Sequence, residues 1–77
     1  IAKKTNFNIV IDKNKKITFL KKTIKFDAFA DTFLLLSSKI PKDSIIYISA
    51  DKKLFYEDVI FILKSIKESG FTKVSLV

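Results

Sequence analysis

Between Tyr56 and Ser69, apolar side chains return every three or four residues, at Tyr56, Val59, Ile60, Leu63 and Ile66. That spacing is the stripe of an amphipathic helix. Glu57 and Asp58 fall in its first turn, where the helix dipole favours negative charge, and Gly70 follows as a C-terminal stop. Ahead of it, Ile45-Ile46-Tyr47-Ile48 is β-branched and aromatic, bounded by Ser44 and Ala50-Asp51, and reads as a largely buried strand. Behind it, Val74-Ser75-Leu76-Val77 reads as a closing strand. Strand, helix and strand in so short a stretch make a βαβ unit, and such a helix needs a sheet to lie on.

The first half supplies the rest of that sheet. Phe7-Asn8-Ile9-Val10-Ile11 alternates with period two, and Asp12-Lys13-Asn14-Lys15 has turn chemistry. Ile17-Thr18-Phe19-Leu20 resumes the alternation, so a hairpin is predicted. A short extended piece at Thr23–Lys25 precedes a helix running to about Ser38, with Asp27 as its cap and Phe26, Phe29, Phe33 and Leu36 on one side. Pro41 and Asp43 end that element. Residues Ile1–Asn6 read as a flexible polar lead-in and 7–77 as one domain, because 77 residues build only one core. The predicted class is α+β: two helices on one face of a small mixed sheet, in the order β-β-(β)-α-β-α-β.

Composition removes several functions. The chain has no Cys and no His, hence no disulfide or thiolate and none of the commonest general base or transition-metal ligand. Its single Gly rules out a Gly-rich phosphate loop. Acidic pairs such as Glu57-Asp58, or Asp27 with Asp31, are accounted for by the helix dipole and capping. No catalytic, metal or cofactor residue is expected. No apolar run is long enough to span a bilayer. The first residue is Ile, which suggests a piece of a longer protein. The net charge is +7, from fifteen Lys and no Arg. Such a balance fits anionic partners, yet Arg is the residue suited to bidentate phosphate and base contacts. A small basic nucleic-acid-binding α+β domain is therefore the alternative reading, weakened by the lack of paired sheet aromatics.

The stretch from Ile48 through Ala50-Asp51, four further residues, Tyr56 opening a helix, Gly70 at its end and Val74–Val77 resembles the ExbD/TolR family. The likeness extends to the upstream hairpin and Leu-bearing helix. Two positions depart from the family pattern: Asp12-Lys13-Asn14 replaces a Gly-containing turn, and Ser49 stands where relatives often carry a basic residue. The resemblance implies the periplasmic domain of an inner-membrane protein with one transmembrane helix, which bears the proton-carrying carboxylate and lies outside this chain. It further implies an ExbB- or TolQ-like proton-channel partner, a TonB- or TolA-like periplasm-spanning partner, a homodimer, and contact with peptidoglycan in the TolR branch.

Four residues are expected to organise the motif: Ala50, Asp51, Tyr56 and Gly70. Asp51 suits the strand-to-helix loop, by accepting backbone N–H bonds, and Tyr56 the first helical turn. Phe61 lies about 180° from Val59, Leu63 and Ile66 and is a candidate partner or dimer contact. Val74, Leu76 and Val77 are further candidates: an edge strand there, or at Phe7–Ile11, would accept an extended segment by backbone pairing. The basic clusters Lys3-Lys4, Lys13 with Lys15-Lys16, and Lys21-Lys22 suit contact with anionic headgroups or peptidoglycan carboxylates, or else solubility and protection of hairpin edges.

Overall fold

A computed structural model describes residues 6–77. The expected lead-in at 1–5 lies outside the described residues, and Asn6 already belongs to the first strand. The elements are β1 (Asn6–Ile11), β2 (Ile17–Phe19), β3 (Lys22–Ile24), a 3-10 turn (Phe26–Ala28), α1 (Phe29–Leu36), β4 (Ile45–Ala50), α2 (Tyr56–Glu68) and β5 (Lys73–Leu76). The sheet is mixed, in the order β3-β2-β1-β4-β5. β1 pairs antiparallel with β2 and β2 with β3, whereas β4 runs parallel to both β1 and β5.

Alternation along each strand sends one set of side chains to the helices. Ile9, Ile11, Ile17, Phe19, Ile24, Ile46 and Ile48 are buried on that face, beneath Phe29 and Phe33 of α1, Ile62 and Ile66 of α2, and Phe71. Phe33 joins the two sides of the core, its ring centroid 5.1 Å from Phe19 and 5.6 Å from Phe71. Burying a side chain of this size contributes roughly 1.5–3 kcal/mol. The other sheet face carries Asn8, Val10, Thr18, Thr23, Tyr47, Ser49 and Ser75, with no helix of the described residues over it.

The β1–β2 turn is built by Asp12, whose Oδ1 accepts the N–H groups of Asn14 and Lys16, both at 2.9 Å. Lys15 takes positive φ there (64°) in place of a glycine. The β2–β3 turn is tighter. Its central residues, Leu20 and Lys21, both have positive φ, as a two-residue hairpin of the primed type demands.

Three local expectations are corrected. β1 is interior, covered by β2 and β4, so Phe7–Ile11 offers no free edge. Asp27 does not cap α1; it sits inside the 3-10 turn, and α1 begins after Ala28 without a side-chain cap. The buried face of α2 is centred on Ile62, Ser65 and Ile66, about 100° around the helix from the stripe read in the sequence. Polar residues conceal that face. Ser65 Oγ donates to Phe61 O and Ser69 Oγ to Ser65 O, both at 3.0 Å, which satisfies these hydroxyls within the helix. Asp58 Oδ2 is met by Lys15 Nζ at 3.4 Å, and Lys15 also stands 5.2 Å over the Phe26 ring. Hydroxyls bonded to the helix's own carbonyls and one ion pair let a polar sequence face the core.

Candidate docking surface

Because β1, β4 and β5 run parallel, their C-terminal ends gather at one end of the domain. There the chain leaves β4 and turns into α2. Asp51 N–H donates to Ile11 O at 2.9 Å, tying the loop to the end of β1. The Asp51 carboxylate accepts the Lys53 N–H at 2.8 Å, and Leu54 N–H donates to Asp51 O at 3.0 Å. Asp51 thus folds the loop upon itself. Beside the loop lies an open groove of about 300 Å³, walled by Ile48, Leu54, Val59, Leu76 and Val77 and bordered by Ala50, Asp51, Lys52 and Tyr56.

Five of the residues singled out in the sequence therefore meet at one place: Ala50, Asp51, Tyr56, Leu76 and Val77. Tyr56 opens α2, but its ring is 77% exposed at the mouth of the groove and does not join the core stripe. On its other side a second shallow groove runs along Glu57, Ile60, Phe61 and Lys64. Phe61 is 41% exposed, with one flank against Phe26 at 5.1 Å between centroids. The apolar surface thus passes from Leu76 across Tyr56 to Phe61.

Gly70 and Val74 lie elsewhere. Gly70 ends α2 with φ at 103°, its N–H donating to Lys67 O at 3.0 Å. A Cβ there would meet the Lys42 stem at 3.3 Å, so both conformation and space favour glycine. Val74 points toward the helices and packs against the core. Leu54, which lines the groove and packs against the core, was missed in the sequence, although Leu54-Phe55-Tyr56 is an apolar run just where a helix starts.

β5 is an edge strand. Val77 N–H donates to Ile48 O at 2.8 Å, which sets the phase of the ladder. Residues alternate in the side to which they bond, so the N–H and C=O of Val74 and Leu76 face away from β4. Among the described residues no strand pairs with that side. Nor do three His, Cys, Asp or Glu side chains converge on a point where a metal ion would sit. The groove has a carboxylate already engaged in its own loop, one ammonium and one phenol. What this arrangement can do is bind an extended, partly apolar segment, through backbone pairing along β5 and side-chain insertion into the groove.

A family model described as "Biopolymer transport protein ExbD/TolR" matches residues 1–77. Two proteins named "Putative biopolymer transport protein ExbD-like 1", from Helicobacter pylori strains 26695 and J99, are each 51% identical over 69 residues. Those matches take in 90% of this chain and 52% of each relative, so the chain spans about half the length of the curated relatives it matches. No helix among the described residues is long and apolar enough to cross a membrane. With the family pattern running the whole length of the sequence, on the mixed sheet and paired helices predicted from its periodicity, the chain belongs to the ExbD/TolR family of biopolymer transport proteins.

Proposed function

We propose that this chain is the periplasmic interaction domain of an inner-membrane complex that uses the proton-motive force, of the ExbB–ExbD–TonB or TolQ–TolR–TolA kind. It performs no reaction of its own. Its task is to hold a segment of the periplasm-spanning partner while the proton-carrying carboxylate works in a membrane helix outside this chain. The parent protein functions as a homodimer, alongside an ExbB- or TolQ-like channel subunit. The observation that carries this reading is the β5 edge, unpaired among the described residues and continuous with the groove under Tyr56, in a member of a transport family. Backbone pairing tolerates sequence variation in the partner, which suits a chain that must be caught and released.

The test is a pull-down of TonB-like and TolA-like periplasmic fragments by this domain. One of them is expected to be retained, and which one identifies the branch. Leu76→Lys and Phe61→Lys are expected to keep the fold, since both side chains are exposed, and to weaken retention at least fivefold. Retention of neither fragment, or full retention by both variants, contradicts the reading.

A further inference from the structure

The end of the domain opposite the groove has a different chemistry. β1, β4 and β5 begin there, with Asn6, Ile45 and Lys73 in register across the sheet. α1 and α2 both run toward it, and so does β2, whose turn presents Leu20 and Lys21. Lys21, Lys22, Lys39, Lys42, Lys67 and Lys73 cluster toward this end, against Asp43 and Glu68, with Asp31 one turn back on α1. The groove end is nearly balanced: Asp12, Asp27, Asp51, Glu57 and Asp58 answer its lysines.

Apolar exposure coincides with this charge. On the outward side of α1, Leu34 is 54% and Leu35 75% exposed. They line an open depression with Asp31, Ser38 and Lys42. The fold does not need these two leucines, because α1 buries Phe29 and Phe33 instead. Lys42 lays its stem over Phe71, its Nζ 4.5 Å from the ring centroid, beside the leucines. Two exposed leucines beside Lys42, with Lys39 next to Ser38 in the chain and Asp31 the one acid lining the depression, match the chemistry of a membrane interface. Apolar side chains enter the acyl boundary and ammonium groups meet lipid phosphates.

We infer that this end of the domain seats on an anionic lipid bilayer, with Leu34 and Leu35 inserted and Lys39 and Lys42 on the headgroups. The inference rests on the reading above only for the presence of a bilayer nearby. The two fail separately, because partner retention is measured without lipid. Seating would hold the groove end, with its β5 edge, pointing away from the membrane.

Flotation of the 77-residue chain with phosphatidylcholine vesicles, with and without phosphatidylglycerol, tests it. Binding is expected only with phosphatidylglycerol. Leu34→Ser with Leu35→Ser is expected to lower it about tenfold, since binding scales with inserted apolar area. Lys39→Gln is expected to lower it about fivefold. Lys13→Gln, at the far hairpin, should change it less than twofold. Circular dichroism melts that match wild type will show these surface variants to be folded. Three results overturn the inference: no binding to phosphatidylglycerol vesicles, equal loss from Lys13→Gln and Lys39→Gln, or binding indifferent to the leucines. Sedimentation showing self-association that disappears with the leucines assigns the patch to a second copy and overturns it as well.

Discussion

The two edges of this sheet differ in almost every respect. β3 is three residues long, follows a turn strained at Leu20 and Lys21, and carries Lys22 beside Lys21 and Lys25. β5 begins at Lys73 but continues as Val-Ser-Leu-Val and ends in an apolar groove. Short, lysine-rich edges are what proteins use to prevent unwanted pairing. The same chain has therefore closed one edge and left the other open. A lysine-rich composition by itself does not distinguish them; the placement of the lysines does.

The severest way to break this contrast is to cut the core that supports both edges. Phe33 touches Phe19 beneath the antiparallel half and Phe71 beneath the parallel half. Phe33→Ala should cost about 3–5 kcal/mol and, in so small a domain, leave little folded protein in a thermal melt. A loss under about 1 kcal/mol would mean that the two halves are held together otherwise.

A narrower change addresses the open edge alone. Leu76→Pro removes an N–H that faces away from β4, so the sheet keeps its own ladder while a docking strand loses a donor. Partner-fragment binding should fall about tenfold, with the melt shifted by only a few degrees. An unchanged affinity would show that the groove, not the edge, carries recognition.

The smallest effect concerns the closed edge. Leu20→Asn with Lys21→Gly places at positive φ the residues that tolerate it, and should stabilise the domain by about 1 kcal/mol in urea unfolding. If the variant is also more prone to self-pairing through β3, Lys21 has been acting as a guard. No gain in stability would count against a strained turn.

Local and non-local features were not equally legible in the sequence. Period two in Phe7–Ile11 and the turn chemistry of Asp12 revealed the hairpin, because both are properties of neighbours in the chain. Pairing of β1 with β4 was invisible, since Asn6↔Ile45 joins residues far apart in sequence and leaves no local mark. The buried side of α2 was misplaced because Asp58, Ser65 and Ser69 are polar, and only the folded chain provides Lys15 and the helix carbonyls to satisfy them. Of the surface, Asp51 and Tyr56 stood out through their spacing. Their meeting with Leu76 and Val77 required knowing that β5 lies beside β4. The exposure of Leu34 and Leu35 was equally unreadable, as a Leu-Leu-Leu run looks like core until Phe29 and Phe33 are seen to fill it.

Amide hydrogen exchange on both edges, with and without a TonB- or TolA-derived peptide, bears most directly on the claim that β5 receives a partner strand. The account predicts slowed exchange at Val74 and Leu76, whose N–H groups face outward, and no change at Lys22–Ile24. Unaltered exchange at Val74 and Leu76 under saturating peptide, or equal protection of β3, would contradict it.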